Sequence, residues 1–227
     1  SEARGAALAT VPTPGGPVVF GATHLDHLDE STRVRQLGEI ADALGGRDAV
    51  VLGDFNALRA SDYPPARLAQ IRRERARNGI DPPAGDVVRA ADALGRVDLV
   101  RLGVAGRHAA YRASLRAPLP AELAVTSYFG TRGDYVWATA ALATRLHVPE
   151  VRVVEADASD HSAVVVTLAP LPPGVRANPG APRPAPGGAA RLVADPGITV
   201  TPLAGNAAPP PGEPVALVDP NLGYMTE

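Results

Sequence analysis

Residues 49–56 read AVVLGDFN, a stretch in which polar side chains directly follow a short apolar run rich in valine. Such a run, bounded by an acidic turn, is typical of a buried β-strand. Asp54 and Asn56 would then lie at the carboxyl end of that strand, where open α/β sheets bind their ligands. In an extended segment their side chains would point the same way, with Phe55 turned toward the core.

The residues before this strand predict a further strand and a helix. Residues 18–24, VVFGATH, form a second short apolar run with β-branched residues and predict a buried strand. Ser31 is expected to open a helix, because apolar residues between Val34 and Leu44 recur at helical spacing. The Gly45-Gly46 pair would end that helix.

The residues after the AVVLGDFN stretch predict two helical segments and then three strands. Helices are expected at 64–78 and 86–102, the second broken at Gly95, and strands at 135–139, 151–155 and 162–168. A strand, a helix, a strand, helices and several strands, in this order, indicate an α/β (α+β) domain with mixed sheets.

The two ends of the chain differ in composition from the middle. Residues 1–17 are rich in proline and glycine and predict a linker or the edge of a truncated element, whereas residues 18–169 form the domain. Residues 170–227 hold more than half of the 24 prolines and predict a mostly disordered Pro/Gly/Ala-rich extension. Residues 198–200 and 215–218 are short apolar pieces that would suit an edge strand.

Composition excludes several classes of protein. The 227 residues are 45% hydrophobic and 20% charged, which excludes a wholly disordered or collagenous chain. A net charge of -2 excludes a global basic field, so phosphate affinity must come from a local site. The absence of cysteine excludes disulfides, thiolate zinc sites and cysteine nucleophiles. No apolar run is long enough to span a membrane.

Three short polar clusters carry the candidate chemistry, and each lies beside a predicted strand. They are Thr23-His24-Leu25-Asp26-His27, Gly53-Asp54-Phe55-Asn56 and Ser159-Asp160-His161. Carboxylates beside histidines can hold a metal ion, orient an imidazole or deprotonate water, and amides can donate to a phosphoryl oxygen. This combination of side chains suits the hydrolysis of phosphate esters.

The order of the motifs THLDH, LGDFN, RGDYVW and SDH resembles the carboxy-terminal half of the endonuclease/exonuclease/phosphatase superfamily of metal-dependent phosphoesterases. The resemblance covers about residues 18–169. It implies a four-layer α/β/β/α sandwich of two mixed sheets, incomplete here at the amino-terminal side. It also implies a Mg²⁺-dependent hydrolase of phosphodiesters or phosphomonoesters, with Mn²⁺ or Ca²⁺ as other cations that the site would accept.

The resemblance implies a role for each matching residue. Asp54 would position and deprotonate the attacking water, and Asn56 would donate to a phosphoryl oxygen. Asp134 would pair with His161, which contacts the phosphate and assists proton transfer. His24 would support the phosphate or orient a carboxylate, and Asp160 would bind the metal. Asp26 and His27 would contact substrate, with a solvated turn as the alternative.

Two features of the sequence depart from the superfamily pattern. Gly133 replaces the usual hydrophobic residue before Asp134, which predicts a looser strand. The superfamily also carries an Asn and a metal-binding Glu in an amino-terminal half that has no counterpart in these residues. We therefore expect the chain as given to be a fragment with weak or no activity. The alternative is a non-catalytic remnant of the fold that acts as a binding module.

The sequence also predicts the class of substrate, the oligomeric state and the compartment in general terms. The substrate is expected to be a nucleic acid or a small phosphodiester, and the chain a monomer. The arginines between 72 and 77 predict a solvated helix face, and His108 and His147 predict surface or packing positions. A cysteine-free chain with a proline-rich extension suits a secreted or envelope protein.

Overall fold

The computed structural model describes residues 4–79, 83–106, 108–155 and 157–171, and a strand at 198–202. The eight strands of this part of the chain are β1 (Arg4–Val11), β2 (Val18–His24), β3 (Ala49–Asp54), β4 (Arg96–Asp98), β5 (Asp134–Thr139), β6 (Leu146–Val154), β7 (Ala163–Pro170) and β8 (Ile198–Pro202). Its helices are α1 (Glu30–Leu44), α2 (Pro65–Arg77), α3 (Asp86–Ala93), α4 (Leu99–Ala105), α5 (His108–Ser114) and α6 (Ala140–Ala143). Two 3₁₀ turns span Ala60–Asp62 and Ala121–Leu123.

The strands form two sheets, a mixed sheet in the order β4-β5-β3-β2-β1-β8 and an antiparallel pair of β6 and β7. In the larger sheet β2 runs parallel to β3, while β5 runs antiparallel to it on the other side. The carboxyl ends of β2 and β3 therefore lie beside the amino end of β5, at the same end of the strands. The polar motifs of all three strands lie at this end of the sheet.

The alternation of side chains along the strands builds a core on each face of the larger sheet. On one face Val51 and Trp137 pack with Leu37 and Ile40 of α1 and with residues of α3. On the other face Val50 packs with side chains of β6, β7 and α4. The mixed α/β fold with two sheets that the sequence predicts is thus confirmed.

Several element boundaries agree with the sequence and others do not. The strand predicted over residues 18–24 has those bounds, and Gly95 breaks the segment 86–102 in a left-handed conformation with φ 70°. The break is followed by the short strand β4, which the helical periodicity did not predict. Helix α1 begins one residue before Ser31, because the side chain of Asp29 accepts the amide proton of Thr32 and caps the helix.

The chain ends contribute two strands to the sheet. A linker was one prediction for residues 1–17, but Arg4–Val11 is a strand that pairs with β2. Its signal is a period of two, since Ala6 is buried and Leu8 packs against the same core. The edge strand predicted at residues 198–200 is confirmed as β8, parallel to β1. The remainder of the predicted disordered extension, with residues 215–218, lies outside the described residues.

Candidate active site

The sheet register brings His24, Asp54 and Asp134 together. His24 and Asp54 end β2 and β3 as register partners, and Asp54 is also the partner of Asp134 at the start of β5. Side chains at partner positions lie on the same face of a sheet. Residues far apart in the sequence therefore share one small surface.

His161 reaches this surface through a separate backbone pairing. Ser127 and His161 form an antiparallel bridge, flanked by hydrogen bonds from the amide of Ser162 to the carbonyl of Thr126 at 2.8 Å and from the amide of Tyr128 to the carbonyl of Asp160 at 2.7 Å. The segment before β7 is thus fixed to the segment before β5. This pairing sets the imidazole beside Asp134.

The four side chains form one hydrogen-bonded and charged cluster. Nδ1 of His161 lies 2.8 Å from Oδ2 of Asp134, which also accepts the hydroxyl proton of Thr126 at 2.6 Å. Nε2 of His161 lies 3.8 Å from Oδ2 of Asp54, and Nε2 of His24 lies 3.4 Å from the same oxygen. Oδ2 of Asp54 therefore faces two imidazoles. The sequence-predicted residues His24, Asp54, Asp134 and His161 are brought together, and their catalytic roles stay predictions.

The surroundings shift the pKa values of two of these groups. The hydrogen bond to Asp134, with the nearby carboxylates of Asp134, Asp54 and Asp160, raises the pKa of His161 to about 9, although partial burial opposes the shift. Burial, followed by repulsion from Asp134, raises the pKa of Asp54 above its ordinary value. At neutral pH His161 is therefore an imidazolium ion, and Asp54 binds a proton more readily than an exposed aspartate does.

The GDFN turn owes its shape to two special backbone conformations. Gly53 has φ 137°, and a Cβ there would overlap the carbonyl of Thr23 on β2, so only glycine fits. Asn56 has φ 47°, a left-handed conformation that asparagine tolerates better than most residues. The backbone amide of Asn56 donates to Oδ1 of Asp54 at 2.8 Å, and its side-chain Nδ2 donates to the carbonyl of Leu25 at 3.0 Å.

This geometry corrects the prediction of an extended segment from Asp54 to Asn56. Phe55 is fully buried against Trp137, as predicted, with ring centroids 4.2 Å apart. The chain nevertheless turns at Asn56, because the carboxylate of Asp54 accepts the amide two residues ahead. One N–H of the Asn56 side chain donates to the carbonyl of Leu25 in the β2–α1 loop. The side-chain amide has two N–H donors, and this hydrogen bond uses one of them.

The structure also explains why residue 133 is a glycine. A Cβ at this position would lie 2.9 Å from Oδ1 of Asp54. The carbonyl of Gly133 accepts the amide proton of Phe55 at 3.0 Å, so the two turns are joined. The glycine leaves room for the Asp54 carboxylate, and the prediction of a merely looser strand overlooked this close approach.

Asp26 and His27 lie in the loop between β2 and α1. Asp26 is fully buried, and its Oδ1 accepts the amides of Leu28 and Asp29, both at 2.8 Å. The carboxylate therefore builds the turn from a buried position, whereas the alternative from the sequence was a solvated turn, and a substrate contact by Asp26 stays a prediction. His27 is exposed, and its Nδ1 lies 3.0 Å from Nη2 of Arg4.

Asp160, the predicted metal ligand, is exposed beside His161. Within the residues that the structure describes, no three His, Asp or Glu side chains are grouped so that they could hold a metal ion. A Mg²⁺ ion takes near-octahedral oxygen coordination, and Asp160 would supply one ligand to it. One exposed carboxylate does not by itself make a magnesium site.

A buried ionic network, which sequence reasoning missed, supports the loop that leads to Asp134. The guanidinium of Arg132 donates to Asp62 at 3.2 Å and to Asp98 at 2.8 Å, and all three side chains are fully buried. Arg101 is also paired with Asp62. The backbone amide of Arg132 donates to the hydroxyl of Tyr63 at 2.7 Å. Charged residues inside apolar runs, such as Asp98 in RVDLVRL, were the available signal.

Comparisons with known proteins show distant structural neighbours and no family. No protein-family model and no curated protein matches the chain. Among solved structures, the chain is similar to the human Nocturnin catalytic domain with bound sulfate (TM-score 0.43, 16% identity, covering 72% of this chain and 51% of that one).

Two bacterial structures show a comparable likeness. A conserved protein of unknown function from Enterococcus faecalis V583 has TM-score 0.39 and 16% identity, covering 70% of this chain and 52% of that one. A mannosyl-6-phosphatase from Bacteroides thetaiotaomicron VPI-5482 has TM-score 0.39 and 14% identity, with 69% and 52% covered. The chain thus spans about half the length of each neighbour.

Proposed function

We propose that the protein is a hydrolase of phosphate esters whose reaction centre is the cluster around Oδ2 of Asp54. The observation that carries the proposal is the position of this oxygen, 3.8 Å from the imidazole of His161 and 3.4 Å from that of His24. A basic carboxylate beside an imidazolium provides a proton acceptor and a proton donor within one small site. Phosphoryl transfer needs this pair together with stabilisation of the oxygen charges.

In the proposed reaction, Asp54 accepts a proton from a water molecule whose oxygen attacks phosphorus. The new P–O bond forms in line with the ester P–O bond that breaks. Nε2 of His161 donates its proton to the leaving oxygen, and the hydrogen bond to Asp134 keeps the imidazolium oriented. The second N–H of the Asn56 amide would donate to a non-bridging phosphoryl oxygen.

Mg²⁺ dependence is a separate proposal that rests on the superfamily resemblance. Asp160 would contribute one oxygen ligand, and Mn²⁺ or Ca²⁺ would be tested beside Mg²⁺. A bound divalent cation would supply charge stabilisation at the phosphoryl oxygens.

No helix in the described part of the chain is both long and apolar enough to cross a membrane.

The test compares the full chain with single variants on a phosphodiester and a phosphomonoester, with and without each cation. His161→Ala and Asp54→Asn should each lower kcat/KM by at least about 100-fold, the usual contribution of a general acid or base. His147→Ala is the matched control, because this histidine lies on β6, outside the cluster.

Hydrolysis that persists unchanged in both variants would place the reaction elsewhere. Absence of hydrolysis by the unmodified chain on every substrate and with every cation would refute the proposed function for these 227 residues, and would leave the inactive fragment or the non-catalytic binding module that the sequence also predicts.

A further inference from the structure

A cavity of about 350 Å³ lies between α2, α3 and the loop that follows the GDFN turn. Cavities of this volume are within the range of sites that bind small molecules. The wall combines apolar side chains with three guanidinium groups, and it includes Leu58, Leu68 and Val88 together with Arg59, Arg72 and Arg89. We refer to it as the arginine cavity.

Arg59 is the most buried of the three arginines, with 9% of its surface exposed. Its Nη1 and Nη2 donate to the two carboxylate oxygens of Asp92 at 2.9 and 2.8 Å. A guanidinium has five N–H groups, and this bidentate pair uses two of them. The Nε atom of Arg59 is buried and has no hydrogen-bond partner within the described residues. Because an unpaired buried donor is costly, Arg59 has both the capacity and the need for a second acceptor.

The charge at the arginine cavity is positive, although the net charge of the chain is -2. Its three arginines face one lining carboxylate, that of Asp92. Asp86, on the first turn of α3, pairs with Arg89, but both of these side chains are more than half exposed. Such a pair is weak in water. An anion that enters the cavity therefore meets more positive than negative charge.

The arginine cavity is separate from the candidate active site. Asp134 and Tyr135 are consecutive on β5, so their side chains point to opposite faces of the sheet. Asp134 belongs to the cluster around Asp54, whereas the hydroxyl of Tyr135 accepts the backbone amide proton of Arg59 at 3.1 Å. None of the four side chains of that cluster is among the described residues that line the cavity.

We propose that the arginine cavity binds a small organic anion, a carboxylate or phosphate head on a short apolar body, as a second ligand site of the protein. The head accepts hydrogen bonds from Arg59, since guanidinium groups bind both kinds of oxyanion through paired N–H donors. Arg72 and Arg89 are exposed and add positive charge at the entrance. The body packs against the apolar side chains of the wall.

Calorimetric titration of the full chain at low ionic strength tests the proposal with four probes. Hexanoate and hexylphosphonate carry the two kinds of head on the same body, hexanol lacks the charge, and acetate lacks the body. We expect the better of the two long anions to bind at least about tenfold more tightly than hexanol, through hydrogen bonds to its charge, and than acetate, through burial of methylene groups. The tighter head identifies the source of the anion, a carboxylate or a phosphate.

Arginine variants locate the bound anion. Arg59→Met should weaken binding at least about tenfold, because it removes hydrogen bonds to a charged group. Arg72→Ala should weaken it about threefold, as expected for one exposed charge. Arg73→Ala is the matched control, because this arginine is also exposed on α2 but is not among the described residues that line the cavity. If Arg59→Met does not fold, the double variant Arg72→Ala/Arg89→Ala provides the same test at exposed positions.

Three results would overturn the inference. They are equal affinity for the long anions and hexanol, no binding of either anion at about 10 mM, and affinity that the arginine variants leave unchanged. Binding that is lost in His161→Ala but kept in the arginine variants would place the anion in the reaction centre and would also overturn it. Since binding is measured without hydrolysis, this inference and the proposed function fail independently.

Discussion

The hydrogen bond between Asp134 and His161 leads to a quantitative prediction for Asp134→Asn. This bond is the largest cause of the rise in the pKa of His161 from 6.5 to about 9. One pKa unit corresponds to about 1.4 kcal/mol, so the folded protein favours the imidazolium form by roughly 3 kcal/mol. Asp54 and Asp160 remain in the variant and still favour the imidazolium form. The pKa of His161 should therefore fall to a value between 6.5 and 9.

The same shift predicts how stability depends on pH. The pKa of His161 is higher in the folded than in the unfolded state, so the pair stabilises the fold fully below about pH 6.5. This contribution is lost as the pH rises from 6.5 through 9. Asp134→Asn should therefore lower the free energy of unfolding by up to about 3 kcal/mol at pH 6, and the deficit should shrink above pH 9.

NMR titration of the histidine rings, without divalent cations, measures the shift directly. The chain has five histidines, and a His161→Gln variant identifies the resonance of interest by its loss. Asp42→Asn, an exposed substitution on α1, is the control and should leave the midpoint unchanged. A midpoint near 6.5 in the unmodified chain, or one unaffected by Asp134→Asn, would refute the reasoning.

Three further predictions follow from the backbone, the buried network and the metal proposal. Gly53→Ala should lower the free energy of unfolding in urea by at least about 2 kcal/mol, because a Cβ would overlap a backbone carbonyl, whereas Gly15→Ala, whose Cβ would meet only Oγ1 of Thr13 at 3.9 Å, should be nearly neutral. Arg132→Met should cost about 3–5 kcal/mol because it leaves Asp98 without its guanidinium partner, whereas the exposed Arg72→Met should cost little; equal effects would contradict the network. If the metal proposal holds, EDTA should lower hydrolysis and added Mg²⁺ should restore it, while activity unchanged by EDTA would end the metal proposal and leave the reaction assigned to the cluster.

The parts of the fold that local periodicity controls could be predicted from the sequence. The strand at residues 18–24 and the end of α1 at Gly45 follow from apolar spacing and a left-handed glycine. Strand β4 could not be found this way, because its three residues continue an apolar segment and are strands only through pairing with β5. The same limit applies to β1, whose small residues gain strand structure from the register with β2.

The candidate site was predictable in its membership and less so in its geometry. Short motifs identified Asp54, Asp134 and His161, but their proximity depends on the pairing of Asp54 with Asp134 and of Ser127 with His161, which are far apart in the sequence. The left-handed turn at Asn56 depends on a hydrogen bond to the preceding carboxylate and had no periodic signal. The exposure of Tyr128 and Phe129 was missed because an exposed ring cannot be distinguished from a core ring by residue type alone.

The geometry of the site is determined by the sheet, and two glycines allow the close approaches that it needs. Gly53 lets β3 approach the backbone of β2, and Gly133 lets the turn before β5 approach the carboxylate of Asp54. Register then places Asp134 opposite Asp54, and the pairing of Ser127 with His161 adds the imidazole. Three of these constraints are backbone contacts and the fourth joins the backbone to the Asp54 carboxylate, so the carboxylate–imidazole cluster is organised by the fold before any substrate binds. Preorganised charge of this kind is what a site for phosphoryl transfer requires.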